Sequence, residues 1–288
     1  MATGPLREVL MSTVADAYAP TRREWIGNGY SFIGKYGRKF IHATGAIFVF
    51  LLIWQLAPYI GLINPIIIPV PTTILQKMIQ LILSGELLTN IAVSVGRVLV
   101  GFLIALAVAL PLGFLLGGWF KSFETAVNPL LQVVSQANPF TLFPVFITLL
   151  GIGELSKISI IFWVCQWPVL FNTVTGIMNV DPAIVKMARS VGIGKWQMFR
   201  KVLLPAAMPS VFTGIRMSAV FAFFMLIGAE MIGASSGLGY MILQAQATFQ
   251  MPKMWVGIVT VAFLGILFNW ILLQVEKKFS GWKEELVI

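Results

Sequence analysis

Thiol and imidazole chemistry are almost absent from this chain. It holds one cysteine, Cys165, and one histidine, His42. A lone cysteine excludes an internal disulfide, and the pair together excludes zinc-ligand spacing and a Cys/His nucleophile pair. Cys165 sits within an apolar run and reads as a small apolar filler. Charge is scarce as well: 11% of residues are Asp, Glu, Lys or Arg, against 58% hydrophobic, over 288 residues. A soluble domain carries about 25% charged residues. A phosphate-binding Gly-x-x-x-x-Gly-Lys-Ser/Thr loop is also missing. The nearest candidate, Gly194-Lys195, runs on into Trp196 and has Arg189 where the motif needs its first glycine, so any ATP hydrolysis falls to another chain.

What is present are apolar runs of roughly 20 residues, each able to cross a bilayer as a helix. The reading is an all-α integral membrane protein with six spans: 41–61, 89–118, 126–150, 157–178, 208–232 and 254–275. Pro139 and Pro144 predict a kink or split in the third span. Asn64, Pro65, Pro69 and Pro71 predict an extended loop after the first. Residues 1–40 form a basic N-terminal arm in which Trp25, Tyr30, Phe32 and Tyr36 alternate with Arg and Lys. Such an arm suits a lipid headgroup interface or a disordered tail. The transmembrane domain covers 41–276, and 277–288 is a short tail. No continuous apolar stretch in the first 40 residues suggests a cleaved signal peptide.

The net charge of +9 does not call for nucleic acid, because the cations cluster at the ends of the apolar runs. With the N-terminus in the cytoplasm, inner segments hold 15 of the Lys and Arg residues and outer segments hold three, Lys77, Lys157 and Lys253. That imbalance places both termini inside.

Residues 179–207 are then a cytoplasmic loop between spans 4 and 5. Asp181 is a good N-cap, Pro182 suits the first helical position, and Gly192 suits a left-handed stop. The helix so bounded puts Ile184, Met187, Ala188 and Val191 on one face. This face fits either a partner's groove or the chain's own membrane ends. A second short helix is expected after it, with Trp196, Phe199 and Leu203 on one side, before Leu204-Pro205 leads into span 5.

Lys186-Met187-Ala188, Gly192 and Val202-Leu203-Leu204-Pro205 keep the spacing of a motif in the permease subunits of bacterial ATP-binding-cassette importers: Glu-Ala-Ala, three residues, Gly, nine residues, an aliphatic, any residue, Leu-Pro. Lys186 and Met187 depart from its first two positions. The segments Gly151-Ile152-Gly153-Glu154-Leu155-Ser156-Lys157 and Ala229-Glu230-Met231-Ile232-Gly233-Ala234-Ser235-Ser236-Gly237-Leu238-Gly239-Tyr240 resemble the nitrate, sulfonate, taurine and bicarbonate branch. The resemblance spans about residues 45–275. It implies a type I importer permease fold in the bacterial inner membrane and a homodimer with a second permease copy. It also implies two cytoplasmic ATPase subunits, which carry ATP and Mg, and an extracytoplasmic solute-binding protein. No cofactor is expected on this chain, nor catalysis. Ile184, Met187, Ala188, Val191 and Gly192 would form the ATPase-coupling element, and the cargo would be a small anion.

Ionisable groups at membrane depth are functional candidates by default. Arg216 is the candidate for an anion route, since guanidinium binds oxyanions bidentately; the alternative is a structural tie. Glu230 reads as a gate-linking or structural group, with substrate contact as the other option. Arg97 is expected to pair with an acid from another span or to snorkel outward. Gln136, Asn138 and Thr141 flank Pro139, where a broken helix can line a cavity or hydrogen-bond between helices. Gly113, Gly117, Gly118, Gly214, Gly228 and Gly233 are expected to admit close helix approach. A stand-alone secondary transporter or channel predicts internal repeats or several buried carboxylates, and a membrane-embedded enzyme needs a clustered nucleophile and base. Neither pattern is evident in the sequence.

Overall fold

The computed structural model describes residues 45–46, 48–58, 60–62, 64–119 and 121–280. The expected arm 1–40, His42 and the tail beyond 280 lie outside them. The chain divides into two units, Met1–Asn64 and Pro65–Ile288. In the first, residues 48–56 are helical, within the expected span 41–61.

The second unit is helical throughout its regular elements: α1 Pro71–Leu83, α2 Glu86–Phe114, α3 Lys121–Ser135, α4 Pro139–Leu150, α5 Glu154–Met178, α6 Pro182–Ser190, α7 Lys195–Met198, α8 Leu204–Gly233, α9 Leu238–Ala247 and α10 Met251–Ser280. Among the described residues, four helical segments are long and apolar enough to cross a membrane: Glu86–Gly118, Glu154–Met178, Lys195–Gly233 and Met251–Lys278. The bent pair Phe123–Ser135 and Pro139–Leu150 makes a fifth if counted as one span.

The core is a three-helix stack of α2, α5 and α8. Along α2 and the π-helical turn Leu115–Trp119 that continues it, Gly101, Ala105, Ala109, Gly113 and Gly117 recur every fourth residue and form a small-residue stripe that lets backbones meet. A Cβ on Gly101 would lie 2.8 Å from Ile161 Cγ2, and one on Gly113 would lie 2.7 Å from Thr173 Cβ. Contacts 101 to 161 and 113 to 173 share one offset, so α2 and α5 run parallel. Gly214 meets Asn172, and Gly176 meets Ser210, so α8 runs antiparallel to α5. Cys165 is fully buried, and its thiol lies 3.5 Å from the Ser218 carbonyl, which fits its reading as a filler. Gly118 and Gly233 do not act as expected: a Cβ on Gly118 would meet nothing within 4 Å, and one on Gly233 only Ile147 at 3.9 Å.

Three sequence expectations change here, and the expected break in the third span gains its position. The prolines after span 1 do not simply make a loop, because Pro71 opens α1, where a missing N–H costs nothing. The split in the third span lies at 136–138, with an 88° bend. Pro139 starts α4, while Pro144 stays inside it. The short helix expected at 195–203 is not separate from span 5. It continues through a π-helical turn, Phe199–Leu203, into α8, a wide turn placed just before Pro205, which has no N–H to donate. Finally, α9 had no counterpart in the sequence reading, and α10 extends beyond 275 to Ser280.

Candidate functional site

Helix α6 has the bounds its sequence dictates. Asp181 Oδ1 accepts the Ala183 N–H at 2.8 Å, and Pro182 occupies the first turn. Gly192 has φ +77°. Its N–H donates to Arg189 O at 3.0 Å and that of Ile193 donates to Ala188 O at 3.4 Å, the paired bonds of a Schellman stop. The expected apolar face is divided. Ala188 is buried at 8% exposure, whereas Ile184, Met187 and Val191 are 43%, 64% and 76% exposed. The side of the helix carrying Val185 and Arg189 borders a cavity of about 470 Å³ shared with Met198, Phe199 and Leu203. One flank thus faces the chain itself and the other stays open.

At the opposite ends of the core helices lies an ion cluster built around the buried Arg97 and Glu230. Arg97 donates from Nε and Nη2 to both oxygens of Glu154, at 2.6 and 2.7 Å. Its Nη1 donates to Glu230 Oε1 at 2.6 Å and to the Ser236 carbonyl at 2.7 Å. Glu230 also accepts from Ser94 Oγ at 2.8 Å and from the Gly239 N–H at 2.8 Å. Ser94 in turn accepts the Leu238 N–H, and Asn90 accepts that of Gly237, each at 2.8 Å. Asn90, Ser94 and Arg97 share one face of α2, being four and three residues apart. Gly237 has φ +115°, and any Cβ there would strike the Glu230 carboxylate. This network pins the start of α5, the end of α8 and the start of α9 to α2. Glu230 is 1% exposed and is held by these bonds rather than open to a cavity. Arg97 pairs with acids from other helices, one of its two expected fates.

The third region is a groove of about 800 Å³ between α3 and the last turns of α5. Asn128 Nδ2 donates to Glu124 Oε1 at 2.5 Å, and Gln132 Nε2 donates to Asn128 Oδ1 at 2.8 Å. These residues stand four apart, so they form one polar stripe along α3. Gln136 continues it, and Phe171 and Thr175 face it from α5. Asn138 does a different job: its Oδ1 accepts the Phe140 N–H at 2.9 Å and caps α4, and it borders a neighbouring cavity of about 480 Å³ with Trp163 and Trp167. Thr141 is exposed on the first turn of α4 and lines neither cavity.

Arg216 stands apart from all three regions. Its Nη1 lies 3.2 Å from Glu276 Oε2 on α10, so a partner within the chain answers its charge. Glu154, Ser94 and the Glu124–Asn128–Gln132 ladder were not anticipated. The ladder had a signal, its four-residue spacing. The partners of Arg97 lie 57 and 133 residues away and had none beyond the rule that a membrane arginine needs one.

Comparison with known proteins assigns the fold a family. A model described as "binding-protein-dependent transport system inner membrane component" matches residues 109–281. The putative aliphatic sulfonates transport permease protein SsuC of Bacillus subtilis (strain 168) is 36% identical over 235 residues, which are 82% of this chain and 85% of that protein. The taurine transport system permease protein TauC of Escherichia coli (strain K12) is 25% identical over 253 residues, 86% of this chain and 92% of that one. A solved inward-facing conformation of the MetNI methionine ABC transporter has a chain that superposes with a TM-score of 0.58 at 16% identity, covering 68% of this chain and 97% of that chain; this likeness concerns the fold alone. The chain therefore belongs to the binding-protein-dependent inner-membrane permease components of ATP-binding-cassette importers, multi-pass proteins of the cell membrane.

Proposed function

We propose that this chain forms half of a solute pathway, as one of two identical permease subunits. Each has six spans and both termini in the cytoplasm. Two separate ATPase subunits drive the pair by alternating access, and an extracytoplasmic binding protein delivers a small solute of the sulfonate, taurine or nitrate kind.

The observation that carries this reading is α6. A nine-residue helix with a side-chain cap, a left-handed stop and three exposed apolar residues joins two core helices at one end of the bundle. A cluster of exposed apolar side chains on a helix held outside the bilayer is the mark of a protein-interaction surface. A groove on an ATPase subunit suits Ile184, Met187 and Val191, while Ala188 packs against the chain itself and Gly192 supplies the left-handed stop. Motion of the ATPase then reaches α5 and α8 directly, because α6 connects them.

The solute route runs along the polar stripe of α3 and past the break at 136–138, where Gln136 and Asn138 stand, with Thr141 on the first turn of α4 after it. Arg216 and Glu230 contribute by tying helices together: the first ties α8 to α10, the second ties α8 to α2 and α9. The basic residues near α6 and the end of α10 support the cytoplasmic placement of that end.

The test is reconstitution. The permease, its ATPase and its binding protein should together give ATP-dependent uptake of the solute that co-purifies with the binding protein, identified by mass spectrometry. Omitting either partner should abolish uptake. Uptake by the permease alone, driven by an ion gradient, would overturn the proposal.

A further inference from the structure

We infer that the cavity at the base of α6 seats the headgroup phosphate of an anionic phospholipid, so that a membrane lipid braces α6 against the ends of two spans. Such a site is separate from the solute route and from the face offered to an ATPase.

The cavity lies where two apolar segments reach the membrane boundary. Gly118 is the last residue of the span Glu86–Gly118, and Lys195 is the first of Lys195–Gly233. Both border the same space of about 470 Å³. Phospholipid headgroups lie at the ends of spans. Arg189 and Lys195 bring two positive charges to this lining, one from the last turn of α6 and one from the start of α7. Cations gathered in a concave site focus their field and draw an anion. A guanidinium also binds two phosphate oxygens at once. Basic pockets between spans on the cytoplasmic side are where anionic headgroups settle.

The apolar part of the lining suits a lipid rather than a soluble anion. Val185, Met198, Phe199 and Leu203 border the space beside the two cations. Met198 is buried, and the Phe199 ring packs edge-on against Phe114 of α2 with centroids 5.5 Å apart. These side chains offer the glycerol and the first acyl carbons an apolar wall. A Cβ on Gly118 would meet nothing within 4 Å, so the space at that residue is open to a ligand. Val185 and Arg189 stand four apart and share one side of α6. The exposed Ile184, Met187 and Val191 lie on another. Helix α6 can therefore hold a lipid and a protein partner at the same time.

Native mass spectrometry tests this on the full-length permease, stripped of lipid in detergent and titrated with phosphatidylglycerol, phosphatidylcholine or inorganic phosphate. One phosphatidylglycerol per chain should bind on the order of ten-fold tighter than phosphatidylcholine. Arg189→Gln/Lys195→Gln should weaken that binding, again on the order of ten-fold. Gly118→Leu should weaken it too, by filling the space with both cations in place. Arg200→Gln/Lys201→Gln removes the same charge from residues outside the described lining and should bind like the parent. All five positions are exposed, so each variant should keep the parent's monodisperse elution and helical circular dichroism. Parent affinity in Arg189→Gln/Lys195→Gln or in Gly118→Leu would overturn the inference, as would equal weakening by the two double variants. Displacement of the lipid by inorganic phosphate at matched concentration would make this a site for a free anion and overturn the lipid assignment.

Discussion

Glu230 is the group whose loss should cost the fold most. Its carboxylate accepts from Arg97, Ser94 and the Gly239 backbone at 2.6–2.8 Å, and its side chain is 0% exposed. Hydrogen bonds to charged groups contribute about 1.5–3 kcal/mol each. Breaking a buried ion pair by removing one member costs about 3–5 kcal/mol, because the other charge stays buried. Glu230→Ala should therefore destabilise by about 3–5 kcal/mol. Glu230→Gln keeps the shape but turns an amide N–H₂ toward either Arg97 or the Gly239 N–H, leaving a buried donor unanswered, and should cost about 2–3 kcal/mol. Glu154 is the contrast. It also pairs with Arg97, yet it is 57% exposed, so water can take over its role and Glu154→Gln should cost about 1 kcal/mol or less. Thermal half-loss of the monodisperse peak on size exclusion, in detergent, ranks the variants. The order expected is Glu230→Ala, Glu230→Gln, Glu154→Gln, parent. An Arg97→Gln/Glu230→Gln double-mutant cycle should show coupling of roughly 1–3 kcal/mol. Parent-like thermal stability in Glu230→Gln would refute the reasoning.

Other outcomes follow from the same geometry. Gly113→Ala forces a Cβ to 2.7 Å from Thr173, whereas Gly118→Ala meets nothing within 4 Å; the first should lower thermostability by about 1–3 kcal/mol and the second should match the parent in the same assay. Glu276→Gln and Arg216→Ala should impair uptake to a similar degree, because each breaks the α8–α10 tie, and Arg216→Lys should retain part of it. Loss of uptake in Arg216→Ala beside normal uptake in Glu276→Gln would instead give Arg216 a direct part in the pathway. In a Cys165→Ala background, Leu155→Cys should react with an impermeant thiol reagent from outside intact cells and Gln197→Cys should not; the reverse pattern would invert the orientation.

Features set by neighbours in sequence were the legible ones. Asp181, Pro182 and Gly192 lie within one short segment and specify α6 through backbone bonds of three to five residues' reach. The break near Pro139 was legible for the same reason, though its exact place depended on Asn138 acting as a cap. Proline misled where its position in a helix decides its effect: Pro71 starts α1, Pro144 is carried inside α4, and Pro205 is accommodated by a π-helical turn. Helix α9 escaped notice because it is ten residues long, too short for a span. The division of α6 into a held flank and an open flank is tertiary information. Periodicity grouped Ala188 with Ile184, Met187 and Val191, but contact with the chain's own surface buries only the smallest of them. For that reason Ala188→Asp cannot separate docking from folding, whereas Met187, 64% exposed, can.

Met187→Asp therefore tests the central claim most directly. The variant should insert and purify like the parent, since its side chain touches water rather than the core. Burying the new carboxylate in an apolar contact would cost several kcal/mol, so co-purification of the ATPase should fall sharply and ATP-dependent uptake in proteoliposomes should fall with it, while Met187→Leu keeps both. If Met187→Asp binds its ATPase and transports at the parent rate, α6 is not the element through which ATP hydrolysis drives this permease.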